Sequence, residues 1–155
     1  EAHLLGDFFF VSGEIGRVTS YEAGFVGHHT VRDGRAVPDP LILDERFLAA
    51  RVHGRGVSVL SSCSHAGVVN AALGALGACG GEPIDVILGG YHLAGEGMEP
   101  RIEPTVHDLV NSVKPRVVAP GHCTGWRAKA ALAHRFAPRN YGPSVVGSLY
   151  ALRVT

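Results

Sequence analysis

The stretch "VSVLSSCSHAGVVN", residues 57–70, decides the fold. Three of its first four residues are apolar, in a short run as in a buried strand. Its last residues lead into Ala66–Ala78, which lacks proline and carries few β-branched residues. That segment reads as a helix, and its glycines imply a closely packed neighbour. Cys63, Ser64 and His65 therefore sit where a strand hands over to a helix.

The same layout recurs twice downstream. "PIDVILGGYH" (83–92) and "PRVVAPGHC" (115–123) each run from an apolar strand through small residues to a histidine. A helix at 103–113, with Val106, Leu109, Val110 and Val113 on one face, separates them, and a second helix at 124–137 follows. Strand–helix units of this kind make a parallel arrangement. The functional crevice of such sheets lies at the carboxyl ends of the strands. His65, His92 and His122 should thus converge on one edge.

Upstream, "FFFV" (8–11) and "GRVTSYE" (16–22) read as strands. Residues 24–40 read as a loop that contains His28 and His29. "HGRG" (53–56) is a tight turn between two strands, and "SVVGSLYALRV" (144–154) reads as a closing strand. The expected architecture is an α/β sheet with helices on one side.

Of the 155 residues, 46% are hydrophobic, enough for one domain with a core. Formal net charge is zero and no long basic run occurs, so no nucleic-acid partner is expected. No apolar stretch reaches membrane-spanning length, so no membrane association is expected. Residues 1–12 lack a secretory signature. The three cysteines, Cys63, Cys79 and Cys123, have no framework spacing, which suggests reduced thiols and a cytoplasmic location. The chain opens "EAHLLGDFFF", without an initiator methionine, and reads as the interior of a longer protein.

Imidazole and thiolate are the usual ligands of zinc-like metals, which makes His65, His122 and Cys63 metal-ligand candidates. The bland alternative is loop histidines with no ligand. Asp44, Glu45 and Arg46 read first as a solvated turn with a local ion pair. Their functional alternative is a carboxylate that orients a histidine. Arg17 is either a strand-edge ion pair with Glu14 or a contact for an anionic substrate. Thr124 suits the N-cap of the helix after His122, whose amides could receive an anion. Trp126 reads as a packing anchor. A thiol enzyme built on Cys63 or Cys123 has the least support.

"FFFVSGEIGRVTSYE", "DERFL", "SSCSHAGVVN", "GGYHL" and "PGHCTGW" occur in this order in the chain. Together they resemble a branch of the metallo-β-lactamase superfamily, the dihydropterin ribofuranosyl-aminobenzene phosphate synthase-like metal-dependent hydrolases. The resemblance covers nearly the whole chain and implies a four-layer αββα sandwich of two similar halves. It further implies two metals, usually zinc, with manganese or iron as substitutes, activating a bridging water. In that frame His122 and His65 match metal ligands. Cys63 stands where many relatives carry a bridging Asp, and His92 is a ligand or an acid–base group facing a small-molecule substrate. The superfamily's His-x-His-x-Asp-His signature is absent from residues 1–155. The chain is therefore expected to be the C-terminal portion of such a domain. The function implied is hydrolysis of a phosphoester or related ester, with an N-terminal half supplied by another chain. The alternative is a non-catalytic half or a dimerisation module, with a homodimer as partner.

Overall fold

The computed structural model describes residues 1–153. Six strands form one mixed sheet in the order β1 (His3–Leu5), β2 (Phe9–Val11), β5 (Phe47–Val52), β6 (Gly56–Ser61), β7 (Ile84–Gly90) and β8 (Val117–Gly121). The pairs β1–β2, β2–β5 and β5–β6 are antiparallel, whereas β6, β7 and β8 run parallel. Helix α1 (Val68–Ala78) crosses from β6 to β7, and α2 (Ile102–Asp108) crosses from β7 to β8. A π-helical turn, Leu109–Val113, prolongs α2, and α3 (Trp126–Phe136) follows β8. The expected α/β architecture is present, and none of the described helices is long and apolar enough to cross a membrane.

Strand alternation sorts the side chains. Phe47, Ala49, Val57, Val59, Ile84, Ile87 and Val118 point to one face, where they form a single core with residues of all three helices. Their neighbours in register form the second face: Phe9, Leu48, Leu60, Val86, Leu88, Val117 and Ala119. None of the described helices covers that face. Phe9 is 38% exposed, and Leu48, Leu60, Leu88 and Val117 are half-buried. Asp85 is the charged exception: Arg55 Nε and Arg116 Nε hold its buried carboxylate at 2.9 and 2.5 Å.

Four elements differ from the sequence reading. Residues 16–22 are not a strand but a strap across the start of α1, because their amides find a side-chain acceptor. Asn70 Oδ1 takes the N–H groups of Val18 and Thr19 at 2.9 and 3.1 Å. The 24–40 loop contains a hairpin, β3 (His29–Arg32) and β4 (Arg35–Pro38). Asp33 and Gly34, both at positive φ (50° and 74°), turn it, and this Asp-Gly pair is a hairpin signal that the sequence carries in plain view. Residues 144–153 form no strand. Val154, the end of that expected strand, lies outside the described residues. Trp126 is 71% exposed, with Arg127 stacked 4.6 Å over its ring, so it is no packing anchor.

Glycines at the end of β7 let the strand ends converge. Gly89 has φ +134°, and a Cβ there would lie 1.7 Å from the Ser61 carbonyl oxygen. Neither a side chain nor an ordinary backbone conformation fits. Gly89→Ala should cost about 2–3 kcal/mol of unfolding free energy, read from urea midpoints. A loss below about 0.5 kcal/mol would show that β6 and β7 can part freely at this end.

A candidate metal centre at the carboxyl ends of three parallel strands

Because β6, β7 and β8 are parallel, the residues that follow them share one edge of the sheet. Each strand end passes through a non-glycine residue in the left-handed region: Ser64 (φ 61°), His92 (46°) and His122 (39°). Such conformations are disfavoured, and they persist where surrounding contacts impose them, often at functional sites. Ser64 shows how. Its buried hydroxyl bonds Ser61 Oγ at 2.8 Å and the Gly90 carbonyl at 2.6 Å, tying the turn after β6 to the end of β7.

Two overlapping clusters of potential ligands result. Donor atoms of Cys63, His65 and His92 lie within 4.8 Å of one another, and so do those of Cys63, His122 and Cys123. Cys63 belongs to both. His65 and His122 are thus joined through the Cys63 sulfur and fall in separate triads. The His65 and His92 rings meet edge to face with centroids 4.5 Å apart. Phe25 also packs against His92, edge to face, with centroids 5.5 Å apart. His92 Nδ1 is 3.4 Å from Cys63 Sγ, and its Nε2 is buried without a hydrogen-bond partner.

The two sulfurs stand 2.9 Å apart, and in the neutral pair the Cys123 S–H donates to the Cys63 carbonyl oxygen at 3.3 Å. They behave as one titrating unit. Cys123 is pushed down to about 4, chiefly because the Cys63 S–H bonds its thiolate, with His92 adding to the effect. Cys63 is pushed up, chiefly by donating that bond and then by burial. Gly90 makes room for the pair, since a Cβ there would sit 2.9 Å from Cys123 Sγ.

These residues fit a metal of the zinc class. Sulfur and imidazole nitrogen are its preferred donors, and three protein ligands are the number an open catalytic zinc site uses. The unpartnered buried Nε2 of His92 is a lone pair or N–H that the protein itself leaves unsatisfied.

The turn that carries His65 is held from outside by two carboxylates. Glu45 accepts the N–H groups of His65 and Ala66 at 2.8 and 2.6 Å, and its Oε1 lies 3.1 Å from His65 Nδ1. Glu22 accepts those of Val69 and Asn70, each at 2.9 Å. Helix α1 begins at Gly67 with no side-chain cap of its own, so Glu22 serves as the cap from a distance. Burial pushes the Glu22 carboxyl up from its ordinary value. Gly67 is required there, because a Cβ would meet Glu22 Cδ at 2.1 Å.

The remaining expected site residues occupy less open positions. Arg17 donates to the carbonyl oxygens of Glu22 (3.1 Å), His65 (3.5 Å) and Leu41, so its guanidinium stitches three segments together. It makes no ion pair with Glu14 among the described residues. Thr124 is fully buried and does not cap α3, where Gly125 holds the N-cap position. Its hydroxyl accepts the Tyr91 N–H at 3.1 Å and donates to the Gly121 carbonyl at 2.6 Å, bracing β7 against β8. Asp44, Glu45 and Arg46 form no ion pair with one another among the described residues. Arg46 instead donates to the Leu43 and Glu45 carbonyls, and it is the Glu45 carboxylate that lies near a histidine, 3.1 Å from His65 Nδ1. Glu22 carries no signal in the sequence, since nothing in its spacing announces a partner 47 residues away.

No family model matches the chain. Over 111 residues it is 31% identical to the 7,8-dihydropterin-6-methyl-4-(β-D-ribofuranosyl)-aminobenzene-5'-phosphate synthase of Methanocaldococcus jannaschii, covering 72% of this chain and 36% of that protein. The crystal structure of a metal-dependent hydrolase of the β-lactamase superfamily matches with a TM-score of 0.79 at 25% identity. That match covers 97% of this chain and 56% of the other. The chain thus spans between about a third and somewhat over half of the length of these relatives.

Cys63→Ala removes the S–H that steadies the Cys123 thiolate. Titration of thiolate absorbance near 240 nm in the metal-free chain should show one thiolate forming well below the usual thiol range. The substitution should shift that step upward by one unit or more. An unshifted step would mean that the sulfur–sulfur contact does not govern Cys123.

Proposed function

We propose that this chain, which has the fold of the β-lactamase superfamily of metal-dependent hydrolases, forms part of a hydrolase for a phosphoester or related ester. The observation that carries the reading is the pair of ligand triads sharing Cys63 at the carboxyl ends of β6, β7 and β8. Cys63, His65 and His92 would hold one metal, and Cys63, His122 and Cys123 a second, with Cys63 at the position common to both. Zinc suits this sulfur–nitrogen set best; manganese and iron prefer harder donors. When bound, the metal supplies Lewis acidity that polarises the scissile group and brings the pKa of water toward neutrality.

The chain's own residues contribute placement and proton handling. His65 and His122 enter from two different strand ends, fixed by the parallel sheet. His92 lies beside Cys63 and under Phe25, and its Nε2 is free to ligate or to pass a proton to a leaving group. The thiolate of Cys123 gives the site a negative charge that a cation would neutralise. A thiol nucleophile is the competing reading that this low-lying thiolate beside a histidine favours. A chelator separates the two: it abolishes activity that depends on metal and spares activity that depends only on thiolate.

The other half of the relatives' length would add further ligands and cover the second sheet face. A partner is expected because Phe9, Leu48, Leu60, Leu88 and Val117 form an apolar, helix-free surface. Either an N-terminal half or a second copy of the chain would fill that role.

Zinc stoichiometry tests the shared ligand. By competition with a chromophoric chelator, His65→Ala and His122→Ala should each weaken one zinc equivalent. Cys63→Ala should weaken both. Equal, single-site losses in all three variants would contradict the two-triad assignment.

A further inference from the structure

Glu45 does more at His65 than cap a turn. Its carboxylate is 5% exposed, and His65 is the only basic side chain within 4 Å of it among the described residues. Arg46, next in sequence, gives its guanidinium to the carbonyls of Leu43 and Glu45 at 2.7 Å each, and so braces the turn that presents the carboxylate. A further bond from the Glu45 N–H to the Ile42 carbonyl, at 3.2 Å, closes the same turn. Ile42 holds φ +50°, a conformation a β-branched residue rarely adopts, so the chain is bent here against its own preference. The carboxylate is further fixed by the two N–H groups of His65 and Ala66. Oε1 then stands 3.1 Å from Nδ1 of the His65 ring.

An ionised carboxylate only accepts hydrogen bonds. A ring nitrogen 3.1 Å from it is therefore favoured in its protonated form, since an unprotonated nitrogen would set its lone pair against the carboxylate's charge. In a neutral imidazole with Nδ1 protonated, the lone pair is on Nε2. We propose that Glu45 is a positioning residue that holds the Nδ1–H of His65 and leaves Nε2 as its ligating nitrogen, in the triad with Cys63 and His92. The role of His65 as a ligand rests on the metal reading above, whereas the hold on the ring does not. Carboxylate partners of this kind orient ligand histidines and raise their basicity, and their loss weakens metal binding about 10- to 100-fold.

A carboxylate that merely caps the turn would leave the ring's tautomer to chance, so the tautomer is the decisive readout. Long-range nitrogen–proton correlation spectra of the metal-free 155-residue chain near pH 8 should show His65 mainly as the Nδ1–H form. In Glu45→Gln, which keeps one acceptor oxygen but loses the charge, the two tautomers should mix. Zinc affinity measured by chelator competition should fall about 10- to 100-fold. A predominant Nε2–H form of His65 in the unsubstituted chain would overturn the proposal, even if the variant did not fold. So would a Glu45→Gln chain whose tautomer ratio and zinc affinity both match the parent. If His65→Ala leaves zinc affinity unchanged, the metal reading fails; the Nδ1–H form in the parent chain would still support the hold of Glu45 on the ring.

Discussion

Two buried carboxylates, Glu45 and Glu22, hold the passage from β6 into α1. The four amides they accept, of His65, Ala66, Val69 and Asn70, would otherwise be unsatisfied donors at a helix start packed under other chain. Neither carboxylate comes from the helix or its turn. Glu45 arrives from the turn before β5, and Glu22 from the strap that crosses α1. The antiparallel and parallel parts of the sheet are therefore joined at the same place that bears Cys63 and His65. Removing either carboxylate would orphan two buried amides and release a flanking segment at once.

The rest of the site follows from strand direction. Parallel strands bring their carboxyl ends to one edge, and short internal bonds brace the turns there. Ser64 is tied to Ser61 and Gly90, and Thr124 to Tyr91 and Gly121. Small residues allow the approach. A Cβ at Gly89 would strike the Ser61 carbonyl, and one at Gly90 would sit 2.9 Å from the Cys123 sulfur, which itself lies 2.9 Å from that of Cys63. That proximity makes two ordinary thiols into a pair with one easily lost proton and one tightly held proton.

The sheet also has a side that the helices leave alone. Its residues alternate with the core residues and are nearly as apolar, interrupted by Asp85 between Arg55 and Arg116. A face of that kind suits burial against a second layer. The structurally similar metal-dependent hydrolase of the β-lactamase superfamily matches 97% of this chain, which spans 56% of that protein.

The sequence by itself determined the strand–helix units, because β6, β7, β8 and their helices follow hydrophobic period and small-residue punctuation over short spans. It determined, for the same reason, that His65, His92 and His122 end three strands. The Asp33-Gly34 hairpin was legible too, since a two-residue turn is a local matter of positive φ; the surrounding Gly, His and Pro masked it. Tertiary structure alone decided what depends on distant segments. Residues 16–22 have strand propensity, yet Asn70 and Glu22 convert them into a strap. Arg17 is drawn into carbonyls and Thr124 into the core. Glu45 acquires a histidine 20 residues away, and Cys63 meets Cys123 across 60 residues. Spacing along a chain encodes local conformation. Which carboxylate meets which imidazole, and which sulfur meets which, is fixed only when the sheet brings the segments side by side.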